Sequence, residues 1–207
     1  MLDASGFITA GGRSSRMGTD KAWLQIEGQP LIKHIIAALA PITTELAIIA
    51  NDDRYGTLGL AVFPDTESGI GPLEAVRSAL TNCRTSRAVL VGCDLPFVTS
   101  ELFDFLLRLP GEHHAVVPRG PDGKLEPLCA VYWKDLLPIA ARLIESGERK
   151  VAVLFDNAPT RIVEFDEIRQ LRNSQLFFEN INTPEDYRRA VHKARDAMAA
   201  EDMDRRP

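Results

Sequence analysis

The chain has 207 residues, 45% hydrophobic and 26% charged, enough apolar material for one sizeable α/β domain with its own core. A formal net charge of −5 excludes nucleic-acid binding through bulk charge and leaves any anionic ligand to local cations. No apolar run reaches the length of a membrane span, and the first residues lack the basic and apolar regions of a signal peptide. The three cysteines, Cys83, Cys93 and Cys129, form no CxxC pair, which points to reduced thiols and a cytoplasmic protein.

Residues 7–9 read as a short apolar strand that breaks at Gly11-Gly12 into a small-residue loop. That loop carries Arg13, Arg16 and Lys21, opposed only by Asp20. A turn follows at Glu27-Gly-Gln-Pro30, with Pro30 suited to the first turn of a helix. Leu31, Ile32, Ile35, Ile36 and Leu39 recur at helical spacing up to Pro41. Residues 45–50 form a β-branched strand that ends at Asn51-Asp52-Asp53, and residues 60–63 form another, stopped at Pro64-Asp65. After Gly69-Ile-Gly-Pro72 comes a helix over 73–80. The continuous apolar run 88–91 is that of a central strand buried on both faces, and it ends at Gly92-Cys-Asp94-Leu-Pro96. Thr99 or Ser100 caps the next helix, which turns Leu102, Phe103, Leu106 and Leu107 inward. This alternation implies a Rossmann-like, doubly wound and mostly parallel sheet.

Beyond Pro110 the rhythm loosens into a modified, mixed second half. Strands are expected over 115–117, 128–132 and 161–165, with Arg119-Gly-Pro-Asp-Gly123 as the loop between the first two. Residues 136–144 are helical, and 150–155 fit a short helix or a strand equally. Thr183 is a helix N-cap with Pro184 at N1, and the last helix presents Tyr187, Ala190, Val191 and Ala194. Residues 199–207 read as a charged, flexible tail.

The first loop is built for an anion, most often phosphate, because it joins a strand end, exposed amides and three cations. It is not a P-loop, since Lys21 lies three residues after Gly18, and no GxGxxG fits it. Asp65 and Asp94 each follow an apolar strand, so a parallel sheet puts both on the ligand edge. Asp94 is the better Mg²⁺ ligand. Asp65 could accept the two adjacent donors of guanine, and either residue could simply open a turn. Asn180 and Asn182, two apart on an extended segment, share a face and suit a ligand, a metal or a cap. Arg149 and Lys150 form a second cationic spot. His113 and His114 point to opposite faces of a strand, which argues against a shared metal.

Ala10-Gly-Gly-Arg-Ser-Ser-Arg-Met-Gly18 with Asp20-Lys21 resembles a nucleotidyltransferase signature. Gly71-Pro-Leu73, Cys93-Asp-Leu-Pro96, Pro127-Leu128 and Asn180-Ile-Asn-Thr-Pro184 follow in the order seen in molybdenum cofactor guanylyltransferases, of the nucleotide-diphospho-sugar transferase superfamily. The resemblance spans residues 7–190. It implies a single nucleotidyltransferase domain with a nucleotide-binding half (about 7–110) and an acceptor-binding half (about 111–198). It implies Mg²⁺-dependent transfer of GMP from GTP to molybdopterin-bound molybdenum, yielding the guanine dinucleotide and pyrophosphate. Thr9, Ala10, Gly11, Gly12, Lys21, Asn51, Asp65 and Asp94 would contact GTP, with Asp94 and Asn182 on Mg²⁺. Arg16 and Lys21 would neutralise the leaving phosphates, and Lys124, Arg149, Lys150 and Asn180 would meet the acceptor. Partners would be other cofactor-biosynthesis proteins or molybdoenzymes. The second glycine of Ala10-Gly11-Gly12 favours guanine over the cytosine of the cytidylyl relatives. Thr9 stands where the family usually has Leu, and the loop before Lys21 is one residue shorter than in some members. A cytidylyl or sugar-phosphate transferase of the same fold, or a nucleotide-binding adapter without turnover, are the alternatives.

Overall fold

The computed structural model describes residues 3–11, 20–64 and 71–204, with side chains to residue 196. Strand β1 (Ser5–Thr9) leads through a short hairpin, β2 (Gln25–Ile26) and β3 (Gln29–Pro30), into helix α1 (Leu31–Leu39). The hairpin turns on Glu27 and Gly28, both at positive φ (53° and 74°), the geometry that matches the twist of paired strands. Pro30 closes β3 and sits at the N-cap of α1, one residue before its expected place.

Strands β4 (Glu45–Ile49) and β5 (Ala61–Phe63), helix α2 (Pro72–Asn82), strand β6 (Arg87–Gly92) and helix α3 (Ser100–Arg108) complete the first half. The second half holds β7 (Ala115–Pro118), β8 (Cys129–Trp133), α4 (Leu137–Glu145), α5 (Ala152–Asp156), β9 (Thr160–Val163), α6 (Phe165–Ile168) and α7 (Pro184–Asp204).

Seven strands form one sheet in the order β5-β4-β1-β6-β8-β7-β9. β5, β4, β1 and β6 run parallel, whereas β8 is antiparallel to both β6 and β7. The sheet is therefore the expected α/β arrangement, parallel in the first half and mixed in the second.

Alternate residues of each strand feed two separate cores. Ile8, Ile48, Val89, Val91 and Val131 pack with α1 and α3 on one face. Phe7, Ile49, Ala88, Leu90 and Tyr132 pack with α2 and α4 on the other. A period of two with both faces buried is why β6 reads as an unbroken apolar run. The chain moves from β1 outward to β4 and β5, then returns past β1 to β6 with its helix on the opposite face. The switch point thus lies between β1 and β6, where open α/β sheets bind ligands beyond the strands' carboxyl ends.

Three expectations change. Residues 150–155, open between helix and strand, are helical from Ala152. The strand expected over 161–165 stops at Val163, because Glu164 and Glu167 form a capping box that starts α6 at Phe165. Helix α7 runs to Asp204, into the stretch read as a tail, where alanines and Glu201 are strong helix formers. The Tyr187 hydroxyl donates to Gln25 O at 2.6 Å, and Ala190 and Ala194 join Ile26, Leu31 and Ile181 in a third small core. That core fastens the C-terminal helix over the hairpin that follows Lys21.

Candidate active site

Backbone hydrogen bonds stitch the carboxyl end of β1 to those of β4 and β6. Ala10 N–H donates to Ile49 O at 3.0 Å, and Cys93 N–H donates to Thr9 O at 2.9 Å. Gly11 follows at φ 88°, a conformation that favours glycine and lets the chain leave the sheet edge sharply. Burial pushes the Cys93 thiol up to about 12, so it stays a neutral packing group. The Thr9 hydroxyl turns back onto Val91 O at 3.5 Å, so Thr9 offers the site its backbone. Asn51 stands just past the end of β4 on the same edge.

Asp94 follows β6 by two residues. Leu95 N–H donates to Gly92 O in a tight turn, and Ile181 N–H donates to Asp94 O at 3.0 Å. The last contact brings the segment of Asn180 and Asn182 onto the switch point from the far end of the chain. Lys21 Nζ donates to Asn182 Oδ1 at 2.7 Å and lies 3.8 Å from Asp94 Oδ2. Three residues separated by up to 161 positions therefore meet at one point. Burial raises the Asp94 pKa, and Lys21 partly offsets the shift. A desolvated carboxylate with one ammonium nearby is short of positive charge.

These groups fit a magnesium ion. A carboxylate and an amide oxygen are hard donors, and here both face one cation. Among the described residues no three His, Cys, Asp or Glu side chains cluster with metal-ligand spacing, so phosphate and water oxygens would supply the remaining positions. His113 and His114 do diverge: His113 packs edge-on against Trp133, and His114 Nδ1 lies 3.3 Å from Asp135.

Glu126 is a site-edge residue that the sequence reading did not single out. It lies on the β7–β8 loop, fixed by Glu126 N–H to Pro118 O and Cys129 N–H to Glu126 O, both 2.9 Å. Burial first, then Asp122 and Asp94, push its carboxyl up to about 7, while Lys124 and a hydrogen bond from Asn180 oppose them. A glutamate directly before the quoted Pro127-Leu128 was the available signal. Lys124 itself pairs with Asp122 at 2.6 Å on the exposed loop. Arg149 and Lys150 stand elsewhere, at the start of α2, where Arg149 O accepts from Leu73 N–H at 3.3 Å. The four residues assigned to the acceptor thus fall into two groups. Gly12, Arg13, Arg16, Gly18 and Asp65 lie outside the described residues.

Residues 6–160 match the family model described as a MobA-like NTP transferase domain. A probable molybdenum cofactor guanylyltransferase of Carboxydothermus hydrogenoformans is 33% identical over 89% of this chain and 93% of its own length. The molybdenum cofactor guanylyltransferase of Vibrio parahaemolyticus is 30% identical over 86% and 90%. Among solved structures, the molybdopterin-guanine dinucleotide biosynthesis protein A of Archaeoglobus fulgidus superposes with a TM-score of 0.79. It is 23% identical and covers 93% of this chain and 99% of its own. A 2-C-methyl-D-erythritol 4-phosphate cytidylyltransferase of Thermus thermophilus shares the fold at a TM-score of 0.66 and 20% identity, covering 92% and 98%.

Proposed function

As the chain belongs to the MobA-like NTP transferase family and is a nucleotidyltransferase, we propose that it transfers GMP from GTP to the terminal phosphate of molybdopterin-bound molybdenum. The observation that carries this reading is the meeting of Lys21, Asp94 and Asn182 at the switch point of the sheet.

GTP would lie across the ends of β1 and β6. The backbone of Thr9, Ala10, Gly11 and Gly12 would face its phosphates, and Asn51 and Asp65 its nucleoside. A carboxylate at Asp65 would accept the two adjacent donors of guanine, which cytosine lacks in that arrangement. An acceptor phosphate oxygen forms a bond to the α-phosphorus as the bond to the β-phosphate oxygen breaks, and pyrophosphate leaves. The acceptor phosphate is ionised at neutral pH, so no strong general base is required. Lys21, with Arg16, neutralises charge on the departing pyrophosphate. Asp94 and Asn182 would hold Mg²⁺, which supplies charge neutralisation between the phosphates. The protein's remaining task is alignment of the two phosphates.

Residues 7–110 would serve the nucleotide and residues 111–198 the acceptor, through Lys124, Arg149, Lys150 and Asn180. Among the described residues no helix is long and apolar enough to cross a membrane, and a cytoplasmic site of action is part of the proposal. Partners that pass on the cofactor, whether biosynthetic proteins or molybdoenzymes, follow from the same product.

The test is nucleotide selectivity with Mg²⁺ present. GTP at about 100 times its dissociation constant should add roughly 2.7 kcal/mol and raise the melting point by about 5–10 °C. CTP should add little. A shift with CTP and none with GTP would overturn the guanine assignment. Pyrophosphate release should require the molybdopterin acceptor and fall by about 10² or more in Asp94→Ala. Nucleotide binding without turnover under any acceptor would favour an adapter.

A further inference from the structure

Beneath Lys21 lies a network that no role above uses. Asp20 caps the single turn Lys21–Trp23, its Oδ1 accepting from Ala22 N–H at 3.1 Å. Its Oδ2 accepts from the Tyr55 hydroxyl at 2.8 Å and from Arg54 at 3.2 Å. Tyr55 is fully buried on the turn Asp53–Leu58 that follows β4, and its ring stacks on Trp23 with centroids 5.7 Å apart. Arg54 also grips Asp52 through two nitrogens, at 2.7 and 2.9 Å from one carboxylate oxygen. Both oxygens of Asp20 are thus engaged away from its neighbour, and the Lys21 ammonium turns to Asn182 and Asp94. The opposed charge read in the sequence as a counterweight to the loop cations is a structural anchor.

We propose that Asp20 and Tyr55 are positioning residues that aim the Lys21 ammonium at the nucleotide's terminal phosphates, so that the turn after β4 and the lysine move as one body. The inference rests on the functional reading above. Its physical basis is that a lysine side chain has four rotatable bonds, so only a fixed backbone origin can confine its charge. Here that origin is a three-residue turn too short to hold itself. Burial holds the Tyr55 hydroxyl protonated far above its ordinary range, so it remains a donor to Asp20 at every working pH.

Two measurements on the full chain test this. The first needs no nucleotide: acetylation of Lys21 by acetic anhydride, followed by mass spectrometry against the exposed Lys33. Tyr55→Phe, which keeps the ring on Trp23, should raise the relative rate at Lys21 about tenfold. An unchanged rate overturns the proposal. The second compares GTP with GMP. Tyr55→Phe should weaken GTP binding about tenfold and GMP binding little, and should add nothing in a Lys21→Met background. A parallel loss of GTP and GMP, or full additivity with Lys21→Met, also overturns it. Asp20→Asn, which keeps an oxygen for the Ala22 amide, serves the same tests if Tyr55→Phe does not fold. A wild-type protein that binds no GTP would overturn the proposed function, while the Lys21 reactivity would still decide the positioning claim.

Discussion

At the scale of single residues the site is governed by where burial meets charge. Asp94 is desolvated and leans on Lys21, so Lys21→Met should raise the Asp94 pKa further, a shift readable by carbon-detected NMR titration. Glu126 has the opposite consequence for stability from that of a salt-bridged acid. Its folded pKa of about 7 lies above its ordinary 4.5, so between these values the folded state binds the extra proton. Stability from this group is complete below about pH 4.5 and is lost as pH rises to about 7. The group is half-buried and not sealed from solvent, which limits the effect to about 2 kcal/mol. Glu126→Gln should flatten that decline in melting point across pH 4.5–7; an unchanged slope would mean that the carboxyl is not desolvated. Asp94 was legible as a site residue because it ends an apolar run. Glu126 was not, because its environment is made by Asp122, Asp94 and Asn180, which no local pattern brings together.

At the scale of elements, two junctions hold the site in register. The first is the end of β6. A Cβ added at Gly92 would come within 2.6 Å of Asp94 Oδ1, the movable tip of a side chain. Gly92→Ala should therefore cost at most about 1 kcal/mol in chemical denaturation and still lower turnover about tenfold or more by displacing the carboxylate. The second is the start of α7. Thr183 Oγ1 accepts from Asp186 N–H at 3.1 Å, while Asp186 Oδ2 accepts from Thr183 N–H at 2.8 Å and Asn182 N–H at 3.1 Å. Thr183→Ala should cost about 1 kcal/mol of stability, and it should loosen Asn182 enough to free Lys21. The cap itself was legible from Thr183-Pro184. The bond from Asn182 N–H to Asp186 Oδ2, and hence the reason this helix start matters to the site, was not.

At the scale of the whole molecule, the sheet separates stability from chemistry. Two cores lie on its two faces, and the ligand edge runs along the carboxyl ends of β1, β4, β5 and β6. Leu90, fully buried in the centre of β6, belongs to the core shared with α2 and α4. Leu90→Ala should cost about 2–5 kcal/mol in urea unfolding while leaving the affinity for GTP of the folded fraction unchanged. A net charge of −5 sets no bulk attraction for nucleotide, so affinity should instead depend on the few cations held at this edge.

The sequence by itself determined the parallel first half, since unbroken apolar runs ending in Gly, Asp or Asn can be satisfied only by strands buried on both faces. It also determined that Asp94 stands at a strand exit, because position along a strand fixes which edge a residue reaches. Only the tertiary structure decided that Asn182 joins them, since that contact spans 161 positions and depends on α7 docking against the hairpin after Lys21. The reversal of β8, the helix at Ala152 and the anchoring of Asp20 by Tyr55 were likewise settled by packing. Short segments carry too little local preference to choose their own partners, and the contacts that choose for them lie far away in the chain.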